Sequence, residues 1–202
     1  MPVDSHFSPT YDLHIHTYLS ACCSAKDEQQ PAAIVARAAE MGLAAIGFAD
    51  HIWVNPAIEP MDWYRPQNED HIRRLRDDLA SVASPTVRTL VGCEAETIAP
   101  GRFGLTPEFA ATLDYVLLSC SHFHMKGFVE QPEDDSPAAV GRHLVRFFRS
   151  AVTSGLPTAI AHPFLPFGFT QRYDEIIASI SDAEFADAFG AAAAARVAIE
   201  IT

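Results

Sequence analysis

The sequence has few basic residues for its length. Its 202 residues include 14 lysines and arginines against 26 aspartates and glutamates, which gives a formal net charge of −12. Because a nucleic-acid backbone is bound through clustered basic side chains, this balance argues against a nucleic-acid partner. A small phosphorylated ligand remains compatible with it, since bound cations can reverse the charge locally.

Cysteines and long apolar runs are also scarce. The four cysteines, Cys22, Cys23, Cys93 and Cys120, form no C-x-x-C pair and no dense disulfide pattern. No apolar stretch approaches the roughly 18 residues that a membrane-spanning helix needs, and no apolar segment follows a basic start as in a signal peptide. We therefore expect a soluble, cytoplasmic protein in a reducing compartment, with no membrane partner.

Short apolar segments alternate with segments of helical spacing. Segments rich in β-branched and other apolar residues predict strands at 11–16, 44–50, 87–96, 114–122, 157–162 and 196–202. Apolar stripes between them predict helices at 34–41, 72–82, 136–155 and 173–180, and a further short helix that contains Phe185 and Phe189. The third of these helices begins with Ser136 as the N-cap and Pro137 at the first helical position.

This alternation predicts an α/β protein whose parallel sheet is covered by helices, either a barrel or an open doubly wound sheet. A glycine-rich phosphate loop is missing after the first strand, which disfavours a nucleotide-binding open sheet. The length suits one sizeable core, and no low-complexity linker divides the chain. We expect a single domain over residues 1–202.

Five of the predicted strands carry a histidine or a glutamate at or near their carboxyl end. These residues are His14 and His16 on the first strand, His51 after Asp50 on the second, Glu94 on the third, His122 on the fourth with His124 just beyond, and His162 on the fifth. In a parallel barrel the chemistry lies at the carboxyl ends of the strands, so these side chains are expected on one rim.

The H-x-H pair can hold a metal ion because residues i and i+2 of a strand share a face, about 7 Å apart. Imidazole and carboxylate suit zinc, iron or manganese, and Glu94 can bridge two ions. Taken singly, these residues have ordinary structural explanations: an H-x-H in a plain strand, a salt-bridged glutamate, a His-Pro turn. Their agreement favours a metal site, whereas His71 and His143 fall within helical patterns and are expected to be solvated.

Five segments, "DLHIHTYLSA", "GFADH", "GCEAE", "LLSCSHFH" and "IAHPF", resemble in order and spacing the polymerase and histidinol phosphatase (PHP) family. The resemblance implies a distorted, TIM-like barrel of seven strands that binds two or three divalent ions, such as zinc, manganese or iron, and hydrolyses phosphoric esters. It implies ligands for three ions: His14 and His16 with Glu94 as a bridge for the first, Glu94, His122 and His162 for the second, and His51 for a third.

The chain departs from the family pattern at two places. The histidine that the family often places six residues after the second His of H-x-H is replaced by Cys22. A thiolate can bind zinc, but we interpret Cys22 as a small buried thiol. The Asp-x-His that follows the family's final strand is also missing, since the sequence stops at "VAIEIT". We therefore expect a barrel truncated before its last strand, either as an incomplete chain or with a second polypeptide closing the site.

Two cations are candidate substrate contacts. Arg65 lies in a long aromatic loop, residues 53–67, and Lys126 follows the histidines of the fourth strand. Arg65 can bind a phosphate in a bidentate manner and Lys126 as a point charge, although either can equally be an ordinary surface cation. Neither Cys22 nor Cys120 has a distinct base partner in the sequence, which disfavours covalent thiol catalysis.

These observations predict a metal-dependent phosphomonoesterase, similar to histidinol phosphatases, that acts on a small phosphorylated metabolite. Metal-bound hydroxide would attack phosphorus, with Glu94 and His51 as the catalytic residues and His51 assisting the leaving oxygen. One alternative is a PHP-like domain that binds metal without turnover. Another is an amidohydrolase-type enzyme, which is disfavoured because the strand "DYVLLSCSH" carries no lysine. The oligomeric state is left open.

Overall fold

The computed structural model describes residues 10–82 and 86–201. Within these residues the strands are β1 Tyr11–Ile15, β2 Ala45–Phe48, β3 His51–Ile52, β4 Arg88–Ala99, β5 Arg102–Phe103, β6 Tyr115–Ser119, β7 Ala159–Ala161 and β8 Ala198–Ile199. The helices are α1 Pro31–Glu40, α2 Glu69–Ala80, α3 Pro107–Ala110, α4 Pro137–Val152, α5 Tyr173–Ala178 and α6 Asp182–Ala195, and a short 3₁₀ turn spans Thr170–Arg172.

One curved sheet organises the fold. Its strand order is β1-β2-β4-β6-β7-β8, and every neighbouring pair along this path is parallel. The sheet curls into a half-barrel, which confirms the predicted α/β fold and the truncated TIM-like barrel. The two edges approach each other at the carboxyl ends of their strands, because His14 Nδ1 on β1 lies 2.9 Å from Glu200 Oε1 just beyond β8.

The strands near the centre of the sheet differ from the predicted ones. The predicted strand 44–50 is interrupted at Ala49 and Asp50, and His51 starts the separate strand β3. β4 continues to Ala99, so Glu94 lies within this strand and not at its end as predicted. The extension forms because β3 pairs in parallel with the far half of β4 and β5 folds back on it antiparallel, so that both supply hydrogen-bond partners.

A helix forms at each predicted place, but α3 was not predicted, and the helix with Phe185 and Phe189 is the 14-residue α6 and not a short one. Ser136 caps α4 by accepting a hydrogen bond from the Ala139 amide, with Pro137 at the first helical position. The expectation that His143 is solvated is wrong, since it is only 5% exposed. Its Nε2 bonds to the Glu130 carbonyl at 2.9 Å, while its ring packs on Phe123. None of the described helices is long and apolar enough to cross a lipid bilayer.

The concave side of the sheet is closed below the strand ends by Tyr115. Its hydroxyl donates to the Leu13 carbonyl at 2.7 Å, so the side chain reaches from β6 to β1. Along this path it lies against Gly47 and Gly92, where an added Cβ would come within 2.5 Å of the tyrosine. The two glycines therefore make room for Tyr115, which forms the floor beneath the carboxyl ends of β1, β4 and β6.

Replacement of Gly92 by alanine is expected to destabilise the protein by about 1–3 kcal/mol, because the new methyl group would overlap the Tyr115 ring. The matched control is Gly190→Ala in α6, where nothing lies within 4 Å of the added Cβ. That control is expected to stabilise the protein by up to about 1 kcal/mol through helix propensity. Urea denaturation of both variants measures the difference, and equal free energies of unfolding would contradict the assignment of Tyr115 as a packed floor.

Candidate metal centre

Five imidazoles meet at the buried carboxylate of Glu94. Three nitrogens approach its Oε2 atom: His14 Nε2 at 3.2 Å, His16 Nε2 at 3.3 Å and His51 Nδ1 at 3.3 Å. Two others approach its Oε1 atom: His162 Nε2 at 3.0 Å and His122 Nε2 at 4.0 Å. The structure thus brings together all six residues that the sequence marked as metal ligands, and the two oxygens of Glu94 divide the histidines into two groups.

Oxygen atoms of neighbouring side chains orient four of these imidazoles. Each contacts the Nδ1 atom and leaves Nε2 facing the centre: Glu200 Oε1 for His14 at 2.9 Å, Ser20 Oγ for His16 at 3.3 Å, Glu96 Oε2 for His122 at 2.6 Å, and Ser121 Oγ for His162 at 3.3 Å. Such a partner fixes the tautomer of a metal-binding histidine and the direction of its free lone pair. This arrangement is the one that divalent ions require.

The ring of His51 has the opposite orientation to the other four imidazoles. Its Nδ1 faces Glu94, is buried, and has no hydrogen-bond partner among the described residues, although the side chain is only 8% exposed. A buried nitrogen without a partner is costly unless an ion or another group binds it. Two sets of ligand atoms lie within 4.8 Å of one another: His14, Glu94 and His162 in one set, and His16, Cys22 and His51 in the other. The donor types and spacing therefore fit divalent metal ions.

The charge of Glu94 is stabilised by its surroundings. Burial by itself would raise the pKa of this carboxyl group, but the charge on His51 and the hydrogen bonds from the other imidazoles outweigh it. The resulting pKa lies well below the usual range of a glutamate. Glu94 is therefore an anion at neutral pH, as a bridging ligand must be.

Metal uptake is expected to release protons and to become tighter as pH rises from about 7 to about 9. Burial acts to lower the pKa of His14, but hydrogen bonds to Glu200 and Glu94 raise it to about 9. Burial acts in the same sense on His16, whose contacts with Cys22 and Glu94 raise its pKa to about 10. Protons retained by these imidazoles near neutral pH must be lost before an ion can bind. Calorimetric titration with zinc in buffers of different ionisation enthalpy measures the release, and pH-independent uptake without proton release would contradict it.

Cys22 differs from its predicted environment. The residue is exposed and not buried, because it lies on the polar turn that follows β1. Two imidazoles stand beside it although the sequence indicated no base partner. Burial acts to raise the pKa of the thiol, but hydrogen bonds with His16 and His51 lower it to about 5. Cys22 is therefore a thiolate at neutral pH, within reach of the cluster.

Asp50, next to His51, has a structural role. Its two carboxylate oxygens accept hydrogen bonds from the backbone and the hydroxyl of Thr17, both at 2.6 Å. The pair is buried and joins the turn after β1 to the break between β2 and β3. Because both oxygens of Asp50 have these partners, it holds two ligand-bearing segments together and does not face the centre itself.

Aromatic side chains border the cluster on two sides. Trp63 and Tyr64, from the loop at 53–67, pack edge-on against His51 at 5.0 and 6.1 Å between ring centroids. The hydroxyl of Tyr64 donates to Glu96 Oε2 at 3.0 Å. On the other side Phe167 packs against the rings of His122 and His162, at 5.0 and 5.2 Å. The aromatic loop thus reaches the site through Trp63 and Tyr64.

The two candidate phosphate contacts have different surroundings. The Arg65 side chain is 54% exposed and pairs with Glu59 at 2.6 Å and Asp62 at 3.3 Å. Its guanidinium group is therefore already neutralised by two carboxylates, and no contact joins it to the histidine cluster among the described residues. Lys126 is exposed, follows His124 in a turn, and makes no ion pair within the described chain.

Sequence reasoning missed the oxygens that orient the histidines. Glu96 was detectable, since it lies two residues beyond Glu94 and strand alternation places both on one face. Glu200 was also detectable as the only acid of the last predicted strand, at the end where the other strands carry their ligands. Besides the contact with His14, it accepts the backbone amide of His162 at 2.6 Å. The serines Ser20 and Ser121 gave no signal, because hydroxyl groups are common in such turns.

Comparison with known proteins supports the resemblance. A search of curated proteins finds no significant match. The family model described as the PHP domain matches residues 12–202, nearly the whole chain. This range contains every residue of the histidine cluster described above, from His14 to Glu200. The chain therefore belongs to the PHP domain family, whose members are generally metal-dependent phosphoesterases.

Proposed function

We propose that the protein hydrolyses a phosphoric monoester of a small metabolite, in the manner of histidinol phosphatases. The observation that supports this most directly is the division of the imidazoles between the two oxygens of Glu94. A carboxylate placed in this way can hold two divalent ions at the short separation used for phosphate ester hydrolysis. The proposed partner is thus a phosphorylated small molecule and neither a nucleic acid nor a membrane.

The ligands are proposed as the resemblance assigns them. His14 and His16 would hold one ion with Glu94 as the bridge, and His122 and His162 would hold the other. Zinc, manganese and iron all suit this donor set. When bound, the ions would activate water as a nucleophile and neutralise the phosphate oxygens.

The protein's own side chains contribute orientation and proton transfer. Glu200 and Glu96 direct His14 and His122 toward the centre through contacts of 2.9 and 2.6 Å. His51, which lies beside both Glu94 and Trp63, would give a proton to the leaving oxygen whenever one of its nitrogens is free of metal. The aromatic rings of Trp63 and Phe167 would exclude water from the sides and support a flat leaving group.

Lys126 is expected to contribute to substrate binding, and Arg65 is not. Lys126→Ala should raise the KM for a phosphomonoester about tenfold with little change in kcat, because it removes an exposed cation, unpaired within the described chain, from the turn that follows His124. Arg65→Ala is the control: its charge is already paired with Glu59 and Asp62, so its kinetics should be those of the unaltered protein. The opposite ranking of the two variants would contradict this assignment.

The test of the proposed function is a panel of phosphomonoesters, assayed with protein loaded in turn with zinc, manganese and iron. Release of inorganic phosphate from one or more compounds, removed by chelation and restored by metal, is the expected result. If the metal-loaded protein hydrolyses none of them, and Glu94→Ala alters only its stability, the domain binds metal without turnover. Hydrolysis of amides in place of esters would favour the amidohydrolase class, although β6, Tyr115–Ser119, carries no lysine.

A further inference from the structure

The turn after β1 presents two adjacent cysteines in opposite environments. Cys23 is 8% exposed, and its Sγ donates to Gln29 Oε1 at 2.7 Å. Cys22 is exposed and its Sγ lies 3.3 Å from Ser20 Oγ. The same serine contacts Nδ1 of His16. Only the first of the two thiols is therefore directed to the histidine cluster.

Buried hydrogen bonds hold the turn that carries Cys22. Gln67, which is fully buried, accepts the amide of Ala21 at 2.8 Å. Gln29 donates from Nε2 to the carbonyl of His16 at 2.9 Å. The turn is thus tied both to the aromatic loop and to the end of β1. The position of Cys22 beside the cluster is consequently fixed by several contacts.

Cys22 shares its surroundings with two imidazoles. Ligand atoms of His16, Cys22 and His51 all lie within 4.8 Å of one another, and the rings of His16 and His51 are 4.7 Å apart. His51 supplies an independent sign of a missing ligand, since it is 8% exposed and its Nδ1 has no hydrogen-bond partner among the described residues. Two nitrogens and one sulfur in this space form a partial tetrahedral donor set.

The resemblance implies a third ion at His51, and we propose that Cys22, beside His16, supplies this subsite with a sulfur ligand that makes it selective for zinc over manganese. The proposal rests on the proposed metal cluster and specifies the ion that this part of it takes. Thiolate ligands favour zinc and similar thiophilic ions, whereas manganese prefers oxygen donors. The subsite therefore differs in preference from the histidine and carboxylate positions around Glu94. An ion bound there occupies His51, which then no longer serves as a proton donor.

Cobalt(II) provides the test, because it replaces zinc and reports a sulfur ligand by a charge-transfer absorption in the near ultraviolet. Titration of the full chain with cobalt(II) is expected to produce this absorption and subsequent zinc addition to remove it. The absorption should be lost in Cys22→Ser and kept in Cys23→Ser. Cys22→His should still bind the ion but without the absorption, and should accept manganese more readily.

Alkylation supplies a second readout that does not depend on catalysis. Cys22 is the exposed cysteine, while Cys23, Cys93 and Cys120 are buried, so iodoacetamide should modify Cys22 first. Zinc is expected to slow this modification at least tenfold, and manganese at the same concentration to slow it much less. Absence of the absorption in the unaltered protein, or equal protection by both ions, would overturn the proposal. Both readouts report the sulfur ligand without any turnover, so failure of the third subsite and failure of the proposed function are distinguishable.

Discussion

Replacement of Glu94 by glutamine is expected to lower metal-dependent phosphatase activity about a thousandfold, which corresponds to about 4 kcal/mol of transition-state stabilisation. Glutamine keeps the shape of the side chain but has one acceptor oxygen and no charge. The imidazoles on the two sides of Glu94, such as His14 at 3.2 Å and His162 at 3.0 Å, then lose the anion that they share. Steady-state kinetics with saturating metal measures the loss, and elemental analysis measures the ions retained.

The control for this variant is Glu59→Gln. Glu59 is an exposed carboxylate whose partner is Arg65, so its replacement removes an equal charge that has no contact with Glu94 among the described residues. Activity is expected to stay within about twofold of that of the unaltered protein. Circular dichroism of both variants separates a catalytic defect from a failure to fold. A folded Glu94→Gln protein with full activity would show that the carboxylate does not bridge the ions.

Replacement of Glu200 by glutamine is expected to weaken metal binding by about 10–100-fold. Both oxygens of this carboxylate are engaged: Oε1 with His14 Nδ1 at 2.9 Å, and Oε2 with the His162 amide at 2.6 Å. The backbone of His162 has a φ of 30°, a left-handed conformation that costs about 1–3 kcal/mol and needs such support. Glutamine keeps a single acceptor oxygen and therefore cannot accept from both His14 and the His162 amide as Glu200 does.

The kinetic pattern of this variant distinguishes positioning from direct metal binding. If Glu200 acts through His14 and His162, activity should return nearly to normal at high metal concentration, while half-saturation shifts upward. Glu184→Gln is a suitable control, because Glu184 is an exposed capping residue of α6 that bonds to Ser181. A loss of kcat that excess metal does not restore would instead make Glu200 a ligand or a catalytic group.

The six residues of the candidate metal centre could be predicted because their placement depends on local sequence and on a general property of parallel sheets. Alternation along a strand places His14 and His16 together, and the carboxyl ends of neighbouring strands share one edge. The structure therefore needed no unusual conformation to bring His51, Glu94 and His122 into contact. The boundaries of the strands that carry His51 and Glu94 were wrong, and these depend on the short pairings of β3 and β5 with β4.

Other features depend on tertiary structure that the sequence does not display. Glu200 reaches His14 only because the sheet curls, which brings its last strand toward its first. Cys22 faces the imidazoles because its turn is held by Gln67, which lies 45 positions later in the chain and accepts the amide of Ala21. Arg65 became a candidate phosphate contact because of the composition of its loop. In the structure it pairs with two carboxylates of the same loop, Glu59 and Asp62.

The contact between His14 and Glu200 joins residues 186 positions apart, at opposite edges of the half-barrel. Ions held by His14 and by His162 on the two oxygens of Glu94 would therefore link the first strand, the middle of the sheet and its later strands. Because such an ion binds the folded chain and not the unfolded one, metal concentration becomes a determinant of folding stability. At one hundred times the dissociation constant the stabilisation is about 2.7 kcal/mol. The same ions that would perform the chemistry would thus also stabilise the curvature of the sheet that brings their ligands together.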